Sequence, residues 1–315
     1  MSRICFLGVD TSNYTTSLAI ADEGGNIVAN LKIPLSVKSG ERGLRQSDAV
    51  FQHTKNLPEI FTLAEKYFEK YTPVAVGVSV TPRSCEGSYM PCFLAGKSAA
   101  YSLAKTMRIP LFELSHQNGH VMAAAYSGGA TDEVLRSSFM AFHVSGGTTE
   151  VLLVSPDGCD FECKLIGGTK DINAGQAIDR VGVAMGLGFP CGADMERLAL
   201  ENSKKLPKPA VCVSDGYCNL SGLENKAVKL YESTDDKCYT SAYVLDFVGA
   251  TLERLTDDAI SKYGDHPIVY SGGVMSCSIL QKRLKKDNRY FAEPKFSADN
   301  AAGAALLCRR HYLNG

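Results

Sequence analysis

The sequence carries no surplus of charge: 33 Lys and Arg face 34 Asp and Glu, a formal net charge of −1. That balance excludes a bulk electrostatic pull toward nucleic acid or anionic membranes, so a polyanionic partner would need a local basic patch. No apolar run approaches the ~18 residues of a membrane-spanning helix. Met1-Ser2-Arg3 leads directly into a strand-like run, so neither a signal peptide nor an anchor is expected, and the setting is expected to be cytoplasmic. Eleven cysteines are present, yet none forms Cys-x-x-Cys; the nearest pairs are Cys159/Cys163, Cys85/Cys92 and Cys212/Cys218. An odd count in a large chain is expected to mean reduced, mostly buried thiols rather than disulfides or a zinc cluster. Gly 29 and Pro 12 are near average usage, which excludes a collagen-like or low-complexity chain. A phosphate-binding Walker loop is also missing. Ala95-Gly96-Lys97-Ser98 imitates its end, but Pro91 stands where the motif needs its first glycine.

What is present is a repeated α/β pattern. The apolar run Ile4–Val9 suits a central buried strand, and Asp10-Thr11-Ser12-Asn13 a polar turn behind it. A hairpin is expected across Ser17–Ile20 and Ile27–Ala29, joined by a Gly-rich turn. Helix is expected from about Ser47 to Lys70, interrupted at Pro58, then strand over Val74–Val80, helix over Phe93–Met107 and strand over Ile109–Leu114. Ser115 reads as the N-cap of a helix reaching Tyr126. The order then restarts: strand Phe139–Val144, a polar turn, strand Val151–Val154, the turn Ser155-Pro156-Asp157-Gly158 and strand Phe161–Ile166. Two duplicated lobes follow, an α/β chain with residues 1–115 and 295–315 in one lobe and 116–294 in the other. The cleft between such lobes is the expected ligand site.

Three polar turns end buried strands: Asp10-Thr11-Ser12-Asn13, Ser145-Gly146-Gly147-Thr148-Thr149 and Ser271-Gly272-Gly273-Val274. A single Gly-Gly is most simply a tight turn, but matching turns in matching places suit a nucleotide or phosphate. Separately, His116 and His120 stand four apart on an expected helix, so both rings can face one metal ion. Gln117 occupies the position where a metalloprotease helix carries its glutamate base, which disfavours peptide hydrolysis. A third ligand is then needed; Asp299 is a candidate, although a carboxylate just ahead of an Ala-rich helix reads more simply as an N-cap.

Together these residues resemble the transferase subunit of tRNA threonylcarbamoyladenosine synthesis, formerly labelled O-sialoglycoprotein endopeptidase. The resemblance rests on Asp10-Thr11-Ser12, His53, His116-x-x-x-His120, Val144-Ser145-Gly146-Gly147, the run from Ala174 to Arg180, Ser221-Gly222-Leu223, Gly272-Gly273-Val274 and Asp299-Asn300-Ala301-Ala302. It implies an actin/hexokinase-like fold. It also implies one divalent metal, iron or zinc, on His116, His120 and Asp299 at the lobe junction. Ser145, Gly146, Gly147, Asp179 and Gly192 match the family's substrate-binding positions, and Gly272 and Gly273 join them from the third turn. The implied reaction moves a threonylcarbamoyl group from its adenylate to N6 of the tRNA adenosine beside the anticodon, in company with partner subunits.

The chain departs from the family pattern at five places. Thr148 stands for the customary His, Cys277 for an Asn, Gln176 for a Glu and Glu224 for a Lys, and Thr81–Ser88 replaces a Gly-Pro-Gly-Leu turn. Three other readings therefore stay open: carbamoyl transfer to a small molecule, a non-catalytic nucleotide-binding subunit, or a sugar kinase-like enzyme. The basic residues Lys226, Lys229, Lys282, Arg283, Lys285 and Lys286 speak for RNA, the neutral charge and Glu224 against it.

Overall fold

The run Ile4–Val9 does form a central strand, buried on both faces because sheet and helices cover it. The computed structural model describes residues 2–12, 14–37, 44–130, 132–297 and 299–315, with Glu133 by its backbone alone; Asn13 of the first polar turn lies outside this set. The chain runs β1 (Arg3–Asp10), β2 (Thr15–Asp22), β3 (Ile27–Pro34), α1 (Gln46–Phe68), β4 (Tyr71–Thr81), α2 (Phe93–Met107), β5 (Leu111–Ser115) and α3 (His116–Ser127). Then follow α4 (Asp132–Leu135), β6 (Phe139–Val144), β7 (Thr149–Asp157), β8 (Asp160–Thr169), α5 (Ala174–Ala184), α6 (Gly192–Glu201), β9 (Val213–Ser214) and β10 (Tyr217–Cys218). The remainder is α7 (Ser221–Thr234), α8 (Lys237–Tyr263), β11 (Ile268–Ser271), a 3-10 turn (Gly273–Ser276), α9 (Ser278–Leu284), β12 (Arg289–Phe291), α10 (Pro294–Ser297) and α11 (Ala302–Asn314).

The first sheet is ordered β3-β2-β1-β4-β5 and the second β12-β11-β6-β7-β8-β10-β9. In the first, β1 pairs antiparallel with β2 and parallel with β4. In the second, β6 pairs antiparallel with β7 and parallel with β11. The strand plan read from the sequence thus repeats, with β9 and β10 added at one edge. Two of its details differ. Helix α1 runs unbroken through Pro58, which sits on the exposed side, where the carbonyl deprived of its partner can turn to water. The β7–β8 connection tightens to Gly158 and Cys159, because Ser155, Pro156 and Asp157 continue the strand.

Two compact units result. One comprises Met1–Ala124, Pro156–Glu162 and Ala298–Gly315, the other Ala125–Ser155 and Cys163–Ser297. The first packs Leu7, Val9, Leu18 and Ile20 against Leu57 and Ile60 of α1 and Ala100 and Ala104 of α2. The second buries Phe142, Tyr270, Val181, Val248 and Leu252 in one core. The division falls inside α3, so His116 and His120 lie in the first unit, not in the second as a boundary at residue 116 would have it. The physical reason is α11. Its Ala- and Gly-rich face lies directly on β1 and on the first turns of α3. A Cβ added at Gly8 would fall 2.3 Å from the Ala301 carbonyl oxygen, and one at Gly303 would fall 1.8 Å from that of Gly119.

This contact is asymmetric, which makes it testable. A Cβ at Gly119 would meet nothing nearer than the Ala304 nitrogen at 3.8 Å. Gly303→Ala is expected to destabilise the protein by about 3 kcal/mol through backbone displacement. Gly119→Ala, in mid-helix, is expected to be neutral or stabilising by up to ~1 kcal/mol. Denaturant midpoints of the two variants check the difference.

Candidate functional site

Residues from three parts of the first unit meet at the start of α3. Ser115 accepts a hydrogen bond from the Asn118 amide at 3.2 Å, which caps the helix as its sequence suggests and points His116 and His120 along one face. The two Nε2 atoms lie 2.9 Å apart, and Asp299 Oδ1 is 3.3 Å from Nε2 of His120 and 3.7 Å from that of His116. All three ligand atoms fall within 4.8 Å of one another. Asp299 is therefore not the N-cap of α11. The N-cap is Ala301, and Asn300 just ahead of it accepts from the Ala302 amide through its Oδ1 at 3.0 Å, while the Asp299 carboxylate turns to the histidines.

Behind His116 stands Asp10, buried at the end of β1. Its Oδ2 accepts from His116 Nδ1 at 2.8 Å, while Oδ1 is held by the amide and hydroxyl of Ser12. When His116 is neutral, an Nδ1–H donated to Asp10 leaves the lone pair of Nε2 facing His120 and Asp299. Two imidazole nitrogens and a carboxylate oxygen converging in this way form a donor set suited to a divalent transition metal, so the residues present fit a metal ion. Without a metal, the electrostatics favour the protonated ring of His116. Burial alone would lower the His116 pKa, but Asp10 and Asp299 push it up to about 10. Burial would likewise raise both carboxyls; the neighbouring histidines hold Asp299 and Asp10 below the usual carboxylate range.

The second unit contributes a separate pocket of about 370 Å³. Ile178, Pro190, Leu245 and Val274 make its apolar wall, and Gly146, Gly175, Asp179, Gly192, Ala193, Glu196, Gly273, Ser276 and Cys277 complete the lining. Such a size and mixture suit a small organic ligand. The glycines divide into two kinds. Gly175 and Gly272 serve close backbone packing: a Cβ on Gly175 would lie 2.6 Å from the Gly146 nitrogen, and one on Gly272 would lie 2.2 Å from the Val144 oxygen. Gly146, Gly147, Gly192 and Gly273 instead border open space, where a ligand can approach the backbone. In the Ser145–Thr149 turn, however, Ser145 Oγ already accepts from the Gly147 and Thr148 amides, at 3.2 and 3.0 Å. Asp179 Oδ1 accepts from the Cys191 amide at 2.8 Å, fixing the segment ahead of Gly192.

The sequence candidates are thus distributed: His116, His120 and Asp299 meet in the first unit, while Gly146, Asp179, Gly192 and Gly273 line the pocket of the second. Ser145, Gly147 and Gly272 shape its turns. His53 joins neither group; it is buried on α1, with Nδ1 2.9 Å from the Thr16 hydroxyl. Lys97 is an ordinary helix residue paired with Glu113 at 2.8 Å. Two departures from the family pattern find local explanations. Gln176 accepts from the Asn173 amide at 3.1 Å, as a glutamate would, and Glu224 pairs with Arg180 at 3.1 Å. All eleven cysteines are free, and Cys277 is buried at the pocket. Sequence reasoning missed the role of Asp10, whose only signal was a carboxylate closing a buried strand.

Metal binding can be measured directly. His116→Ala is expected to abolish metal retention, and Asp10→Asn to weaken it about 10- to 100-fold by removing the group that orients His116; elemental analysis after dialysis checks both. In protein stripped by chelator, His116 holds its proton up to about pH 10. Reloading metal at pH 8 should therefore release a proton, visible as a buffer-dependent binding enthalpy.

The chain is 29% identical to the tRNA N6-adenosine threonylcarbamoyltransferase of Thermus thermophilus, over 100% of its length and 94% of the relative's. It is 30% identical to the Thermosipho africanus protein of the same name, with 98% and 94% covered. Among solved structures, full-length HypF in a phosphate- and nucleotide-bound form matches 100% of the chain with a TM-score of 0.60 at 13% identity. The chain spans 56% of that HypF. A ROK family glucokinase from Streptomyces griseus matches 97% of the chain at a TM-score of 0.52 and 11% identity, covering 99% of the glucokinase. These likenesses establish the actin/hexokinase-like fold. Residues 47–306 match the TsaD family, tRNA N6-adenosine threonylcarbamoyltransferase, and the chain belongs to that family.

Proposed function

We propose that this chain transfers a threonylcarbamoyl group from threonylcarbamoyl adenylate to N6 of the tRNA adenosine beside the anticodon. The observation that carries the proposal is the convergence of His116, His120 and Asp299 in a TsaD family chain. We assign these three as ligands of one divalent cation, iron or zinc, since imidazole and carboxylate donors suit both. When bound, such an ion supplies Lewis-acid polarisation of a carbonyl.

The chain's own groups supply the rest. Asp10 keeps His116 in the tautomer that presents Nε2 to the donor set. We assign Ser145, Gly146, Gly147, Asp179, Gly192, Gly272 and Gly273 to the adenylate. The open faces of Gly146, Gly192 and Gly273 admit the nucleotide beside the apolar wall of Ile178, Pro190, Leu245 and Val274. Asp179 gives one carboxylate oxygen to the Cys191 amide and keeps the other for a ribose hydroxyl. In the reaction the N6 amine forms a bond to the carbamoyl carbon, the carbon–oxygen bond to adenylate breaks, AMP leaves with that electron pair, and the amine gives up a proton. Free thiols suit a reducing, cytoplasmic setting. Partner subunits and tRNA complete the reading.

The test is a reconstitution with metal-loaded protein, its partner subunits, threonylcarbamoyl adenylate and unmodified tRNA. Mass spectrometry of digested tRNA is expected to show threonylcarbamoyladenosine, absent with His116→Ala. Consumption of the adenylate with no modified nucleoside would overturn the acceptor, and no consumption at all would overturn the reaction.

A further inference from the structure

Asp10, Thr11 and Ser12 are all buried, so the side chains of the first polar turn are built into the fold rather than offered to solvent. Asp10 accepts from His116, and the Ser12 hydroxyl donates to Asp10. Thr11 turns instead to the start of α2. Its hydroxyl donates to the Cys92 carbonyl at 3.0 Å and accepts from the Gly96 amide at 3.0 Å. The approach is close: a Cβ on Gly96 would lie 2.7 Å from Thr11 Oγ1. The glycine that imitates a phosphate loop in the sequence therefore has a packing reason.

What this tie holds is Phe93, the first residue of α2, buried in a small apolar cluster with Leu35, Ala49 and Cys92. Its ring meets the His116 ring in a T-shaped contact, with centroids 6.1 Å apart and planes at 62°. Two consecutive residues of one turn thus grip the imidazole: Asp10 directly at Nδ1, and Thr11 by way of Phe93. The two grips act differently. A hydrogen bond at Nδ1 fixes one atom but leaves the ring able to tilt about the N–H axis, and that tilt swings the Nε2 lone pair. A ring contact resists the tilt, because edge-to-face geometry is directional. Ligation needs the direction of the donor lone pair as well as its position.

We propose that Phe93 is a positioning residue that sets the tilt of the His116 ring toward the metal, and that Thr11 holds Phe93 in place for this task. This rests on the metal reading above and deepens it by naming what fixes the plane of a ligand ring that a carboxylate alone leaves free.

Cobalt(II) is the probe. The full chain, stripped by chelator, is titrated with it against a competing chelator, and the visible absorption of the loaded protein reports the ligand geometry. Phe93→Leu is expected to bind cobalt about three- to tenfold more weakly, the worth of one aromatic pair, and to shift the absorption band. Thr11→Val, which keeps the shape and removes the hydroxyl, is expected to do the same, and Thr11→Ser to match the wild type. Wild-type affinity and spectrum in either Phe93→Leu or Thr11→Val would overturn the inference. So would weaker binding with an unchanged spectrum, which would make the contact a structural support, or a Thr11→Ser as impaired as Thr11→Val. If Phe93→Leu does not fold, the two Thr11 variants decide. A wild-type chain that takes up no cobalt would overturn the metal reading itself, and the inference with it.

Discussion

The backbone-to-backbone contact of α11 with α3 is the constraint on which the candidate metal cluster depends. Two histidines on one helix can aim their rings, but a third ligand must be brought to within a few ångströms from elsewhere. Here it arrives because Gly303 lets the start of α11 lie against Gly119, the residue before His120. With side chains at that crossing the helices would separate, and Asp299 would withdraw with α11. The small residues of Ala301–Ala305 are thus part of the cluster's geometry although none of them touches a ligand atom. The same face rests on Gly8 in β1, so Asp10, two residues along, is placed by the same packing.

Much of this was legible in the sequence, and the illegible parts share a cause. Periodicity identified the strands, their duplicated order and the helix bearing the histidine pair, because burial and i, i+4 spacing are local signals. The role of Asp299 was ambiguous because capping and ligation ask for the same residue type at the same place. Only the folded geometry, in which the N-cap falls on Ala301 and the Asp299 carboxylate meets the histidines, resolves it. Asp10 meets His116 through strand register, which depends on pairings between distant segments. The doubled glycines looked alike in sequence, yet Gly272 packs against Val144 while Gly273 borders the pocket. Crowding on one residue and openness on the next cannot be seen without the neighbouring strand.

The departures from the family pattern carry less weight once their surroundings are known. Gln176 still accepts the hydrogen bond that a glutamate would accept, since an amide carbonyl serves the backbone N–H as well. Glu224 is answered by Arg180 on the neighbouring helix, so its charge is largely spent within the protein. Thr148 holds the Ser145 turn through its backbone, its amide donating to Ser145 Oγ and its carbonyl accepting from the Ser145 amide, bonds that do not depend on the side chain. Cys277, buried at the pocket, alters the chemistry offered to a ligand more directly than the other three.

The return of α11 to the first sheet has a consequence for biosynthesis. Asp299 lies 179 residues after His120, with the whole second unit between them. On the ribosome the first sheet and both histidines emerge long before their carboxylate partner. During that interval the bed that α11 will fill on β1 and α3 has no native occupant, and the histidine pair lacks its third ligand. Assembly of the three side chains is therefore a late event in the life of the chain, coupled to the docking of α11. A nascent chain arrested before residue 299 would keep that bed uncovered and hold two histidines without the carboxylate that meets them in the finished fold.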